Sequence, residues 1–381
     1  MARRMMCARV CMMAAVIVLA TATSAGAQTS DLGPASLPTK AGDPNLGIAN
    51  QGTRTLNFDN GWRFKLVSTD GTTDPSNSYG NSPDPKAAAP SFPDSGWEHV
   101  TLPHDWSITQ LPRPDQTNAT GYFPGGLGWY RKTFTLPAWM NGKRISIDFD
   151  GVFDNSYVYL NGRLLGNHPY GYTGYSYDVS GLVHADGRTP NVLAVVVQNQ
   201  EPSSRWYSGS GITRHVHLTV ANPVHLARWG TFVTTPNLAS TVRSGYADVH
   251  VTTQLASDGA HNSNVRIAYA VVDPAGRVVA RSVANGAAPA DLRVESPQLW
   301  STTTPRLYTL RTTVTDRHRV VDHASTAFGI RWLTFDPNHG ITLNGQPLKL
   351  HGVDLHKDEG GARIGRPCTS TSGATTTSRR W

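Results

Sequence analysis

Tyr157-Val-Tyr-Leu160, Asn161-Gly162, Arg163-Leu-Leu-Gly166 is the stretch on which the fold turns. Two short runs with strand-forming residues flank an Asn-Gly pair. Both central residues of a type I′ turn need positive φ, which Asn tolerates and Gly adopts without strain, so the stretch predicts a β-hairpin. Outward from it, apolar residues recur with period two: Trp62 and Phe64 before it, Ile145, Ile147 and Phe149 just ahead of it, and Val216, Leu218 and Val220 after it. That period predicts half-buried strands of antiparallel sheets. Asn191 to Val197 is apolar almost without interruption, which suits a strand covered on both faces.

The texture changes near Asn222-Pro223. Beyond it, Asp248 to Thr253, Val265 to Val272, a turn at Asp273-Pro-Ala-Gly276, Arg277 to Arg281, and the alternating Tyr308, Leu310, Thr312 and Val314 predict a second, two-sheet sandwich. Pro305, ahead of the last of these, suits a turn or an edge. A third segment starts near Arg331: Ile341 and Leu343, the turn Asn344-Gly345, then Leu348 and Leu350 form another expected hairpin running into Gly352-Val-Asp-Leu-His356. The chain is therefore expected to be all-β, with domains over residues 56–222, 223–330 and 331–360. Residues 28–55 read as a flexible leader, and residues 361–381, with eight Ser or Thr and four Arg, as a tail too poor in apolar surface to order itself.

Of the 381 residues, the first 27 carry Arg3, Arg4 and Arg9, the apolar run Met12 to Ala20 and the small residues Ala25-Gly-Ala27. This is the layout of an export signal cleaved before Gln28, an uncleaved anchor being the alternative. Cys7 and Cys11 would leave with it, and Cys368 alone cannot form an intrachain disulfide. The formal charge of +7 is carried wholly by Arg3, Arg4 and Arg9 and by Arg363, Arg366, Arg379 and Arg380. The body between them is neutral, which argues against nucleic acid or an anionic membrane as partner, and no stable membrane insertion is expected.

Four segments, taken in order, are informative together: Trp97-Glu-His-Val-Thr-Leu-Pro-His-Asp-Trp106, Gly125-Gly-Leu-Gly-Trp-Tyr-Arg-Lys-Thr-Phe134, Ser204-Arg-Trp-Tyr-Ser-Gly-Ser-Gly-Ile-Thr-Arg214 and Leu343-Asn-Gly-Gln-Pro-Leu-Lys-Leu-His-Gly-Val-Asp-Leu-His356. The chain resembles, over residues 56–360, the front half of glycoside hydrolase family 2, which includes β-galactosidases, β-glucuronidases and β-mannosidases. The resemblance implies a jelly-roll sugar-binding sandwich, an immunoglobulin-like sandwich, and the first hairpin or strand of a (β/α)₈ barrel. It also implies a carbohydrate partner, no cofactor, oligomers in intact relatives, and an affinity closest to the β-galactosidase branch.

Retaining glycosidases need two carboxylates about 5 Å apart, one to protonate the leaving oxygen and one to attack the anomeric carbon. In the family both are Glu late in the barrel. This chain has only Glu98, Glu201, Glu295 and Glu359, none in the family's Asn-Glu context. Glu98 reads as lying just before a strand, and Glu201 and Glu295 as lying in turns beside prolines. The expectation is a chain truncated one loop into the barrel, by a shifted reading frame, without catalytic residues of its own. A short non-enzymatic carbohydrate-binding protein and an inert fragment are the competing readings.

Residues placed by the resemblance to touch sugar are Arg205 and Trp206, in a glycine-flexed loop, with Asp354 and His356 beside the first barrel strand. Trp206 equally suits a plug between domains, and His356 a solvent-exposed imidazole. His104 and Asp105 are expected to pack strands together. His215 and His217 share a strand face, but the sequence places no third ligand near them, so no metal site is expected.

Overall fold

The computed structural model describes residues 54–68, 86–116, 122–199, 209–257 and 264–352. The first sandwich is built from β1 (Arg54–Asn57), β2 (Trp62–Ser68), β3 (Glu98–Val100), β4 (Gly126–Phe134), β5 (Arg144–Phe149), β6 (Asn155–Leu160), β7 (Arg163–His168), β8 (Tyr175–Asp178), β9 (Asn191–Asn199) and β10 (Val216–Ala221). One sheet runs β3-β2-β4-β9-β6-β7 and the other β1-β10-β5-β8, with every pairing antiparallel. The hairpin of β6 and β7 forms as the Asn-Gly pair requires, with φ 51° at Asn161 and 84° at Gly162. Asn161 does more than turn the chain. Its side-chain oxygen accepts the Val192 N–H at 2.9 Å, and its amide nitrogen donates to Leu182 O and Asn191 Oδ1, each at 3.0 Å.

Strand β9 is buried along nearly its whole length. Leu193, Val195 and Val197 point between the sheets, against Ile145, Ile147, Phe149, Val216 and Leu218. Ala194 and Val196 point the other way, into a second apolar cluster with Ala87, Ala88, Trp97, Leu127, Trp129 and Tyr159. Residues 86–97 therefore form a strap over the outer face of the six-stranded sheet. Arg131, buried on β4, pins it: Nε meets Asp94 Oδ2 at 2.9 Å, and the guanidinium also donates to the carbonyls of Ala87, Ala89 and Phe92.

The second sandwich comprises β11 (His225–Thr234), β12 (Tyr246–Ala256), β13 (Val265–Val272), β14 (Val278–Asn285), β15 (Ala290–Glu295), β16 (Tyr308–Asp316) and β17 (Arg319–Phe328), ordered β11-β12-β15 and β14-β13-β16-β17. Here burial alternates, and Val249, Val251, Ile267, Val271, Leu292 and Leu310 fill the core. The turn after β13 closes on Asp273, whose Oδ1 accepts the N–H groups of Ala275 and Arg277, with Gly276 at φ 83°.

A third, small sheet holds β18 (Leu333–Asp336), β19 (Gly340–Leu343) and β20 (Gln346–Pro347). The turn at Asn344-Gly345 forms, with φ 54° and 77°. Its second arm is shorter than the alternation of Leu348 and Leu350 implies: Pro347 has no N–H to extend the ladder, Leu348 N adds one bond to Ile341 O at 2.8 Å, and Leu350 is 66% exposed. Strand β18 carries no clear period, and the sequence reading did not place it. Glu98, expected just before a strand, begins β3 because it pairs with Phe64; Glu295 ends β15 rather than lying in the following turn.

The two sandwiches are tied by charge and hydrogen bonds. Asp148 faces outward from β5, yet is only 4% exposed because β11 lies over it. Its carboxylate accepts from Ser146, Ser176, Thr219 and, across the junction, Arg228. Leu226 N donates to Asp322 Oδ2 at 2.8 Å, and Lys143 Nζ to Asn222 Oδ1 at 2.6 Å, so the linker is held on both sides.

Candidate functional site

Arg205 and Trp206 lie outside the described residues, as do Asp354, His356, Glu201 and Glu359. What is described is the ground from which the Arg205 loop leaves and to which it returns, Asn199 and Gly209-Ser210. Asp105 is the anchor. It is buried, and its Oδ1 accepts two backbone N–H groups, from Ser107 and Ser210, each at 3.0 Å. Asn199 Nδ2 reaches Ser210 Oγ at 2.7 Å, and Ser210 Oγ lies 2.6 Å from Ser107 Oγ. Backbone bonds from His104 N to Ile212 O and from Trp106 N to Ser210 O complete the clamp. His104 and Asp105 thus fasten one segment to another, the packing role the sequence suggested.

Gly211 follows, at φ 120°, where a Cβ would sit 2.2 Å from the Tyr130 hydroxyl. Only glycine lets the chain pass there. The Tyr130 hydroxyl meets His104 Nδ1 at 2.7 Å. Burial pushes the phenol well up and lowers the imidazole to about 4, so both are neutral near pH 7.

Gly211 exchanges two backbone hydrogen bonds with Phe153, both 2.8 Å, and this brings a third segment to the corner. Asp154, next to Phe153, is partly buried, and desolvation raises its carboxyl above the usual range. Tyr172 meets the Phe153 ring edge-on at 5.5 Å, and Tyr170 stands 5.6 Å from Tyr172. Both tyrosines are open to solvent, Tyr170 at 54% and Tyr172 at 43% exposure. A Cβ on Gly171 between them would come 2.2 Å from Phe153, so a glycine is required for the loop to lie on that ring. An aromatic ladder beside a carboxyl, on a rigid base, suits a sugar: flat rings take the C–H face of a pyranose and polar groups read its hydroxyls. The sequence reading missed Phe153, Asp154, Tyr170 and Tyr172. The signal for the tyrosines was Pro169-Tyr-Gly-Tyr-Thr-Gly174, aromatics between glycines where a strand stops; nothing local marks Asp154.

His215 and His217, their rings 6.1 Å apart, are each held by a carboxylate: His215 Nδ1 by Asp59 at 2.7 Å and His217 Nε2 by Asp150 at 3.1 Å.

Residues 56–222 match the family model described as "Glycosyl hydrolases family 2, sugar binding domain", and residues 224–331 the one described as "Glycosyl hydrolases family 2". The chain belongs to glycoside hydrolase family 2. This family 2 chain is 43% identical over 286 residues to beta-galactosidase BoGH2A of Bacteroides ovatus, covering 72% of itself and 33% of that protein. It is 28% identical to a beta-glucuronidase of Formosa agariphila, covering 68% of itself and 29% of the relative. Among solved structures, a family 2 member from Bacteroides cellulosilyticus superposes with a TM-score of 0.66 at 34% identity, over 78% of this chain and 38% of that one. The family 2 chain thus spans about a third of the length of these relatives.

Proposed function

We propose that this chain is the substrate-recognising front part of an exported, retaining glycosidase of β-galactosidase type, and that alone it binds sugar without cleaving it. The observation that carries the reading is the corner of Phe153, Asp154, Tyr170 and Tyr172, set on the clamp at the root of the Arg205 loop. The 43% identity to a β-galactosidase, against 36% to a relative described as "Putative beta-glucuronidase", supports the galactoside class. Among the described residues, Asp105 is committed to two backbone N–H groups, and Glu98 and Glu295 stand exposed on different sandwiches, so these three do not supply the pair of facing carboxylates that double displacement needs. Chromogenic β-galactoside and β-glucuronide, offered to the purified chain, should both remain uncleaved, while a galactoside binds more tightly than a glucuronide. Robust hydrolysis of either overturns the reading. Export is supported by the pattern of Arg3, Arg4, Arg9, Met12 to Ala20 and Ala25-Gly-Ala27. Amino-terminal sequencing of exported protein should begin at Gln28.

A further inference from the structure

We propose that the cleft between the two sandwiches is a second carbohydrate site, where a pyranose unit of a glycan packs on Trp229 and is read by Asp150 and Arg214. The inference rests on the carbohydrate-recognition reading above but places a second site, which adjoins the tyrosine corner through Asp150, Gly174 and Arg214 and differs from it by the wall that Trp229 brings from β11. Its starting point is an oddity of β11. The register of β11 against β12 shifts between Leu226 and Thr231, and within that bulge Trp229 sits at φ 55°. A bulky side chain in the left-handed region costs about 1–2 kcal/mol. Gly230 makes the bulge possible, since a Cβ there would lie 2.8 Å from Ala227 O and 2.9 Å from Gln254 O. Bulges re-aim side chains, and strain of this kind persists where the aimed side chain is used. The result is an indole 78% exposed, in a protein that buries Trp62, Trp106 and Trp129.

The groups around that indole are polar and held in place. The Arg228 guanidinium stacks on it at 4.4 Å and is itself fixed by Asp148, with Asp150 at 4.0 Å. Asp150 is oriented by His217 Nε2. The stem of Arg214 lies against Gly151, where a Cβ would come 2.9 Å from its Cδ, and leaves the guanidinium at the surface. Between Trp229, Asp150, Thr213, Arg214 and Pro103 is a cleft of about 400 Å³. That is a small-molecule volume, with one flat apolar wall and a few convergent donors and acceptors. A protein anchor of this size would be ringed by apolar contacts that exclude water. Here the ring is carboxylate, guanidinium, hydroxyl and imidazole, the set that reads sugar hydroxyls.

The test is isothermal titration of a β-linked galactotetraose into the whole chain and into Trp229→Gly, Arg214→Gln and Tyr172→Ala. Glycine suits φ 55°, so Trp229→Gly should keep or raise the thermal midpoint while weakening binding about tenfold or more, with a smaller loss for Arg214→Gln. Unchanged affinity in Trp229→Gly alongside a loss in Tyr172→Ala overturns this site and leaves the recognition reading standing. A parent chain that binds no galactotetraose overturns both. A self-association that Trp229→Gly abolishes, with sugar affinity unaltered, assigns the surface to protein contact and likewise overturns the proposal.

Discussion

Strands β9 and β16 are both nine residues long and both lie inside a sheet, yet they are buried differently. Along β9 only Gln198 escapes burial; along β16 Tyr308, Leu310, Thr312 and Val314 are buried while Arg311 stands in solvent. The cause is local. The strap of residues 86–97 roofs the outer face of the first sandwich's large sheet, whereas β16 meets its sandwich core on one face and presents Arg311 on the other. A continuous apolar run therefore signals a second cover, not a larger core. With one sheet roofed and the other facing β11, the corner and the junction proposed above for sugar are, among the described residues, parts of the first sandwich that neither cover reaches.

A charge placed on the outer face probes the comparison most harshly. Ala194→Asp sets a carboxylate among Trp129, Tyr159 and Ala88, and should cost more than about 4 kcal/mol, enough to unfold the first sandwich. Arg311→Asp, on the open face of β16, should stay within about 0.5 kcal/mol. Urea unfolding of the two variants measures both; a mild Ala194→Asp would mean that the strap does not cover β9. Next in size is Arg131→Ala, which leaves Asp94 only Arg63, at 3.6 Å, deprives three carbonyls of their donor and frees the strap, at about 3–4 kcal/mol. Proteolysis within residues 86–97 should accelerate in parallel, and a variant that loses stability without that cleavage would show the arginine acting elsewhere.

Acid should separate the two sandwiches by a smaller margin. His104 is held near 4 by burial, below its unfolded value of about 6.5, so the unfolded chain binds the extra proton between those values. Its contribution is complete above about pH 6.5 and is lost as pH falls towards 4, about 3 kcal/mol in all. Trp62, Trp106 and Trp129 all report on the first sandwich. Their fluorescence should show it weakening as the medium is acidified, and His104→Gln should flatten that dependence. An unchanged slope in the variant would assign the acid sensitivity to another group.

Most of this architecture was legible where a residue's role is local. The turns at Asn161-Gly162 and Asn344-Gly345 follow from φ alone, and the alternation of Ile145, Ile147 and Phe149 fixes which way β5 faces. What was not legible depends on partners distant in sequence. Ala87 and Ala88 have no period to betray a roof, and Arg131 looks like any charged strand residue until Asp94 is brought to it. Asp148 reads as surface until Arg228 covers it, 80 residues later. Of the candidate site, Arg205 and Trp206 lie outside the described residues, and the aromatic ladder that the structure describes came from a Tyr-Gly-Tyr turn without strand pattern.

The gentlest probe makes the same change on the outward faces of the two sandwiches. Val196 on β9 and Val283 on β14 are both valines turned away from the core between their sheets, but Val196 is 3% exposed and Val283 65%. Threonine has nearly the shape of valine and replaces a methyl by a hydroxyl, so volume is conserved and desolvation of one polar group is what differs. Under the strap that hydroxyl loses water, and Val196→Thr should cost about 1–2 kcal/mol. On β14 the hydroxyl keeps its water and threonine remains a good strand former, so Val283→Thr should change stability by less than about 0.5 kcal/mol. Denaturant midpoints resolve a difference of that size when the slope is unchanged. Equal costs at the two positions would mean that the outer face of β14 is also roofed, and the contrast between the sandwiches would then be one of degree.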